Sequence, residues 1–305
     1  MKDKNYTEAK VQGGKKIVGS VNVVGDKVAT VHLLIASLIS PERTTIINPH
    51  LCGDVLTVLN WMTSNNIAEI STGNGILEIN PLQKPFFDLS EISKIRASVC
   101  LITPLALRSG KVILEKIGGC NFAERKIDLH LRLAEAFGIR IEQDKNKFYA
   151  VRERVPDRVV FNCATVYGPS VGVTCHSLLA SMLFDGEVIL YNVAKECAPS
   201  LLVDYIRLAT NRLVETDGDT IKLPRCGSII YKSVEINPPS DVTVAFTFIS
   251  AAIATRGSVF INGLVNLPPS ILDTLKDMNV SWEFVQSGMF VSAKKQDKAS
   301  WFCGM

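Results

Sequence analysis

The segment from Ile117 to His130, IGGCNFAERKIDLH, gathers several reactive residue types in a short stretch of chain. Cys120 follows two glycines, which leave its backbone mobile and allow close approach to a ligand. Arg125 and Lys126 follow within a few positions, and nearby cations favour a thiolate over a thiol. The pattern permits a cysteine that takes part in proton transfer, although a cysteine taken alone is more often a buried structural residue.

Further candidates stand where helices are predicted to begin. Lys27 follows a strand pattern and opens an apolar helix, whose N-terminal N–H groups and dipole attract anions. Arg96 also precedes an apolar helix, and its planar guanidinium suits a carboxylate or a phosphate. Ser170, Val171 and Gly172 begin a third helix of this kind. Taken singly, Lys27 would be interpreted as a lysine at the end of a strand and Arg96 as a surface arginine. The segment 170–172 would be interpreted as an ordinary helix start.

Composition excludes several classes of protein. Lys and Arg number 33 against 30 Asp and Glu, and no basic stripe appears, so we expect no nucleic-acid partner. The eight cysteines show no CxxC spacing, so no metal site or cofactor is predicted. The N-terminal sequence lacks the apolar core of a secretion signal, and the longest apolar stretch is too short for a bilayer. We therefore expect a cytoplasmic protein without membrane contact.

The chain repeats one layout four times, with a period of about 70 residues. Each repeat shows a β-branched strand, an amphipathic helix and two strands joined by a polar turn. A helix of apolar and small residues precedes each repeat, and because it is apolar all round it should be buried. The four first strands begin TTIINPH, KVILEKIGG, EVILYNVAK and SVFINGLVN.

The predicted fold class is therefore α/β (α+β), with repeated β-α-β-α-β-β units around buried helices. We assign residues 25–238, with three repeats, to one domain. Residues 1–24 together with 239–305 form the second, which holds the fourth repeat and the N-terminal strands.

Five motifs carry a resemblance that covers nearly the whole chain. The chain resembles the enolpyruvyl transferase superfamily, and within it the branch of UDP-N-acetylglucosamine 1-carboxyvinyltransferases. The motif with the cysteine is the most specific of the five. The motifs are GSVNVVGDK (19–27), KIRASV (94–99), GGCNFAERKIDLH (118–130), PSVGVT (169–174) and AAIATRG (251–257).

The resemblance implies a reaction between phosphoenolpyruvate and a UDP-sugar hydroxyl, which yields an enolpyruvyl ether and phosphate for peptidoglycan precursor synthesis. Cys120 is implied as the general acid, and Lys27, Arg96 and Arg125 as the catalytic cations. The other implied binding residues are Asp128 and Leu129 for the nucleotide, Ser170, Val171 and Gly172 for the diphosphate, and, as weaker matches, Asp54 and Glu196. For His130 two interpretations have equal weight: a residue of this site, or a helix histidine whose hydrogen bonds are satisfied within the fold.

The chain also departs from the family pattern. Members of the family have six repeats and this sequence has four, which implies an incomplete second domain and a homo-oligomer or a completing chain as partner. Single-residue departures are Val28 for asparagine, Lys126 for proline, Gly168 for lysine and Ala123 for glycine. Two alternatives stay open: a catalytically impaired UDP-sugar-binding or regulatory relative, and an enolpyruvyl transferase for another nucleotide acceptor.

Overall fold

The computed structural model describes residues 10–82, 88–115, 117–118 and 126–293. Within these residues it contains eight α-helices and seventeen β-strands. The helices are α1 (Lys27–Ile39), α2 (Gly53–Ser64), α3 (Ile102–Ser109), α4 (Asp128–Ala136), α5 (Val171–Ser181), α6 (Cys197–Ala209), α7 (Val242–Ala254) and α8 (Pro269–Asp277). None of the helices in this part of the chain is long and apolar enough to cross a membrane.

The strands are mostly short and lie in five sheets within the described residues. They are β1 (Val18–Asn22), β2 (Thr44–Ile47), β3 (Ala68–Gly73), β4 (Ile76–Pro81), β5 (Lys111–Glu115), β6 (Ile139–Asp144), β7 (Lys147–Arg152), β8 (Arg158–Asn162), β9 (Ala164–Thr165), β10 (Gly168–Pro169), β11 (Glu187–Tyr191), β12 (Glu215–Asp217), β13 (Thr220–Leu223), β14 (Val234–Ile236), β15 (Ser258–Asn262), β16 (Val280–Val285) and β17 (Gly288–Ala293).

Four repeats with one element order build this fold. The first runs α1, β2, α2, β3, β4, and the third runs α5, β11, α6, β12, β13. In each repeat the last strand lies between the other two in an antiparallel ladder, as in the order β2-β4-β3 and the order β5-β7-β6. The prediction of an α/β fold built from repeated units is thus confirmed.

In three repeats the first strand pairs in parallel with an additional strand. This additional strand is β8 for the third repeat, β14 for the first and β1 for the fourth. In the second repeat, a single parallel bridge between Asp88 and Ile113 takes this place. Because β14 follows the third repeat in the chain, its pairing with β2 returns the chain to the first repeat.

The helices that lead the first three repeats form the core. Every residue of α1 from Ala29 onward is buried, and so is every residue of α5 from Val173 onward. In α1 and α5 the buried hydroxyls bond to carbonyls of the same helix or of its capping residue, as Ser177 Oγ does to Val173 O at 2.8 Å. In α3 the buried Thr103 hydroxyl has no hydrogen-bond partner among the described residues. The polar positions of α1 and α5 thus remain buried with satisfied hydroxyls.

The chain divides into two compact units, one of residues 25–239 and one of residues 1–24 with 240–305. The smaller unit has its own core of residues from α7, α8 and the sheet β1-β15-β17-β16. In α7 only Ala245, Ile249 and Ala252 are buried, and Phe248 is 37% exposed. This helix is therefore covered on one face, whereas the sequence predicts burial all round.

Candidate functional site

A cavity of about 790 Å³ opens in the larger unit, where several helices begin. Its lining includes Lys27 and Val28 of α1, Asp54 of α2 and His130 of α4. The 3-10 helix Arg96–Leu101, which precedes α3, and the start of α5 complete the mouth. Because the first N–H groups of a helix have no partner within it, helix starts that meet at one cavity favour a bound anion.

Two of these helix starts have capped first turns. The Asp26 carboxylate accepts from Ala29 N at 2.7 Å and caps α1. Ser170 Oγ accepts from Val173 N at 3.3 Å and caps α5. In each helix the side-chain cap satisfies the N–H group of the third helical residue, and the two residues before it line the cavity: Lys27 and Val28 in α1, Val171 and Gly172 in α5.

Three cationic side chains line the cavity. The Lys27 ammonium lies 2.7 Å from the Asp54 carboxylate, and both side chains are about half exposed. Arg96 donates from Nη2 to the Lys126 carbonyl at 2.7 Å. Lys94 is exposed on the same segment. The Lys27–Asp54 pair is solvent-accessible, so its attraction is weak enough to give way to an anionic ligand.

Neutral histidines and a thiol form the cavity floor. His32 Nδ1 donates to the Val28 carbonyl at 2.7 Å, so His32 Nε2 is the acceptor that faces Cys100 Sγ at 3.8 Å. His130 Nδ1 and His176 Nδ1 lie 3.1 Å apart, one donating to the other. Burial lowers the pKa of His32 and lowers that of His176 further. Burial, assisted by Arg96, lowers the pKa of His130 to about 3.

The buried thiols of the larger unit are poor nucleophiles. Burial raises the pKa of Cys100 to about 12 and that of Cys163 to about 11. It raises the pKa of Cys175 well above its ordinary value. Because the thiolate is the reactive form, these three cysteines have structural roles at neutral pH.

Most of the cation and diphosphate residues proposed from the sequence meet at this cavity. Lys27, Arg96 and Asp54 line it, together with Ser170, Val171 and Gly172. Val28, one of the departures from the family pattern, also lines it and is 43% exposed.

The other predicted residues lie elsewhere or outside the described residues. Leu129 is buried in the core, and the Asp128 carboxylate lies 3.6 Å from the Arg132 guanidinium. Glu196 is the exposed N-cap residue of α6. Cys120, Arg125 and Ala123 fall outside the described residues.

The chain on either side of residues 119–125 contacts one short segment at the cavity. Gly118 N donates to Ser93 O at 2.7 Å, and a Cβ at Gly118 would lie 2.7 Å from Lys94 O, so only glycine fits there. On the other side, Lys126 O accepts the bond from Arg96. Both flanks of the motif that holds Cys120 are thus attached to the segment 93–96, which lines the cavity.

Sequence reasoning missed Lys94 and two buried pairs, His32 with Cys100 and His130 with His176. The available signal was one histidine in each of two helices built of apolar and small residues, α1 and α5. A buried imidazole needs hydrogen-bond partners, and apart from the Val28 carbonyl of α1 these partners come from other helices.

Comparison with known proteins identifies the family of the chain. The family described as EPSP synthase (3-phosphoshikimate 1-carboxyvinyltransferase) matches residues 11–300. The chain therefore belongs to this family of enolpyruvyl (carboxyvinyl) transferases, and the resemblance seen in the sequence motifs is confirmed.

Curated relatives point to one branch of the family. The chain is 29% identical over 290 residues to UDP-N-acetylglucosamine 1-carboxyvinyltransferase 1 of Staphylococcus aureus (strain MRSA252), covering 93% of this chain and 68% of the relative. It is 29% identical over 291 residues to the enzyme of the same name from Staphylococcus epidermidis (strain ATCC 12228), covering 93% and 67%. The chain thus spans about two thirds of the length of these relatives.

Solved structures show the same fold at lower identity. The enolpyruvyl transferase NikO from Streptomyces tendae superposes with a TM-score of 0.80 at 14% identity, covering 93% of this chain and 67% of that one. EPSP synthase from Acinetobacter baumannii superposes with a TM-score of 0.70 at 16% identity, covering 92% and 66%.

Proposed function

We propose that the protein transfers the enolpyruvyl group of phosphoenolpyruvate to a hydroxyl of UDP-N-acetylglucosamine, in the cytoplasm, as a step of peptidoglycan precursor synthesis. The names of the curated relatives support this choice of acceptor. The observation that carries the proposal is the meeting of Lys27, Arg96 and the N-terminus of α5 at one cavity. Both substrates are multiply charged anions, and this arrangement offers cations and helix N-termini to them.

The reaction divides into addition and elimination. The acceptor hydroxyl oxygen bonds to the central carbon of phosphoenolpyruvate, its proton passes to a base, and the methylene carbon takes a proton to become a methyl group. The bond from the central carbon to the phosphate oxygen then breaks, and the methyl group returns a proton. The products are the enolpyruvyl ether and inorganic phosphate, so atoms and charges balance without any redox partner.

The proposed roles follow from what each step needs. Lys27 and Arg96 neutralise the phosphate and carboxylate of phosphoenolpyruvate, which stabilises the charge that builds on the leaving phosphate. Val171 and Gly172 offer their N–H groups to the diphosphate of the acceptor, and Ser170, whose own N–H bonds to Cys163 O, offers its hydroxyl. On the sequence motif alone, Arg125 is assigned as a catalytic cation against phosphate or uracil, Asp128 and Leu129 are assigned to the nucleotide, and Cys120 to proton delivery.

A second candidate is an enolpyruvyl transferase for a different nucleotide acceptor. Val28 favours it, because an apolar side chain that is 43% exposed at the cavity cannot hydrogen-bond a sugar hydroxyl or amide. A panel of UDP-sugars that differ at the acetamido group and at the hydroxyl positions separates the two candidates by the rate of product formation.

The test is direct detection of product. The protein is incubated with phosphoenolpyruvate and UDP-N-acetylglucosamine, and the mixture is analysed by mass spectrometry for the ether and by colorimetry for phosphate. We expect both products in equal amounts, none without the acceptor, and none from Cys120→Ala. The matched variant Arg43→Ala, which changes a surface arginine paired with Glu78, should keep activity. Release of phosphate without the ether, or activity in Cys120→Ala, would count against the proposal.

A further inference from the structure

A small hairpin directly before α5 presents two large apolar side chains to solvent. β9 and β10 pair through Thr165 with Gly168 and through Ala164 with Pro169, and Val166 and Tyr167 form the turn between them. Val166 is 93% exposed and Tyr167 is 97% exposed. Turns usually carry Gly, Asn, Asp, Pro or Ser, so neither the turn geometry nor solubility accounts for this pair.

The hairpin is held firmly by hydrogen bonds. Tyr167 N donates to Thr165 Oγ1 at 3.1 Å, and Thr165 Oγ1 donates to Gly168 O at 3.2 Å. At its base, Ser170 N donates to Cys163 O at 2.9 Å. Gly168 has φ +109, a conformation that glycine adopts at little cost. The aromatic ring of Tyr167 is therefore carried by an ordered backbone, which reduces the entropy lost when a ligand binds to it.

This hairpin leads straight into the cavity. Ser170, three residues after Tyr167, caps α5 and lines the cavity with Val171 and Gly172. Three residues of chain span at most roughly 11 Å, and the phenol ring extends farther from the backbone. The distance from a diphosphate held at the start of α5 to Tyr167 would thus be no more than about the length of a nucleoside.

In the described part of the chain, the cavity lining supplies cations and helix N-termini for phosphate groups but contains no Phe, Tyr or Trp on which a nucleobase could stack. Nucleobases gain affinity by stacking on such side chains. We propose that Tyr167 is the stacking platform for the nucleobase of the acceptor, and this inference rests on the proposed nucleotide-sugar substrate.

Calorimetry with matched ligands tests the proposal. UDP and UDP-N-acetylglucosamine contain the base, whereas pyrophosphate and phosphoenolpyruvate do not. Tyr167→Ala should bind the two uridine ligands about tenfold more weakly and the two base-free ligands as the wild type does. Tyr167→Phe, which keeps the ring and loses the hydroxyl, should bind all four as the wild type does. Tyr149→Ala, at an aromatic residue of strand β7 and not of the hairpin before α5, should behave like the wild type.

The contrary outcomes are distinct. Unchanged uridine affinity in Tyr167→Ala, with normal wild-type binding, overturns this inference and leaves the proposed function standing. An equal loss for pyrophosphate shows that the change disturbed α5, and it also overturns the stacking role. A wild-type protein that binds no uridine ligand overturns both proposals. A change of mass in solution on Tyr167→Ala, with uridine affinity kept, assigns the residue to a protein contact instead.

Discussion

At the scale of single residues, the Lys27–Asp54 pair sets how strongly the cavity attracts anions. The two charged groups lie 2.7 Å apart and both side chains are about half exposed. An anionic ligand of Lys27 has to compete with the Asp54 carboxylate, which also repels that ligand. Asp54 therefore acts as a built-in competitor at the cavity mouth.

Replacing Asp54 by asparagine should remove this competition. An exposed ion pair contributes roughly 0.2–1 kcal/mol, so Asp54→Asn should tighten phosphoenolpyruvate binding by up to about fivefold. Titration calorimetry at low and high salt measures the effect, which salt should reduce. Asp204→Asn, which removes a pair with Arg207 on α6, is the control and should leave affinity unchanged. Weaker binding in Asp54→Asn would show that Asp54 positions Lys27 and does not compete with the ligand.

The buried histidines make stability depend on pH. The folded-state pKa of His130 is about 3, and burial also depresses the pKa values of His32 and His176. Each unfolded histidine titrates near about 6.5, so below that pH the unfolded state binds protons that the folded state does not. Stability should be full above about pH 7 and fall as the pH is lowered.

Urea denaturation between pH 7 and pH 5 measures this loss. Each such histidine should contribute a slope of about 1.4 kcal/mol per pH unit once its unfolded form is protonated. His176→Leu, which removes one titrating group, should show a correspondingly smaller slope. Equal slopes for the wild type and His176→Leu would show that His176 takes up a proton in the folded state.

At the scale of elements, the first turn of α5 has two separable tasks. Ser170 caps the helix through its hydroxyl and lines the cavity beside Val171 and Gly172, whose N–H groups belong to the positive helix end. Capping contributes to stability, whereas the positive helix end contributes to anion binding. Substitutions at this one position can therefore separate folding from function.

Two variants of Ser170 make the comparison. Ser170→Ala loses the cap and should lower the free energy of unfolding by about 0.5–2 kcal/mol. Ser170→Asp keeps a capping side chain and should stay near wild-type stability, but its charge should repel the diphosphate and weaken UDP-sugar binding. Chemical denaturation and calorimetry measure the two effects. Wild-type UDP-sugar affinity in Ser170→Asp would place the diphosphate away from α5.

The sequence predicted the repeats because several of its features recur in the same order in each repeat. Strand periodicity and the leading helices of apolar and small residues recur together, as in α1 and α5. The pairings of β14 with β2 and of β1 with β15 join residues far apart in the chain, and local periodicity carries no information about them. The contact of Cys100 with His32 was missed for the same reason, since it joins two different helices.

At the scale of the whole molecule, the two compact units each have a core of their own. The assignment of residues 25–238 to one domain, and of residues 1–24 with 239–305 to a second, stays a prediction. The homo-oligomer or completing chain proposed as a partner also stays a prediction. Phe248 and Phe290 are exposed apolar side chains of the smaller unit. Light scattering of the wild type and of alanine variants at these two positions would test whether they contact such a partner.

The central claim is that the cavity in residues 25–239 is the acceptor site. Titration calorimetry of the protein with UDP-N-acetylglucosamine tests this claim most directly. We predict saturable binding at one site in the wild type and in the surface control Arg43→Ala. Ser170→Asp should bind at least about tenfold more weakly, because its carboxylate repels the diphosphate at the start of α5. Thermal melts establish that both variants fold. Undetectable wild-type binding at millimolar ligand, or equal affinity in Ser170→Asp, would contradict the assignment.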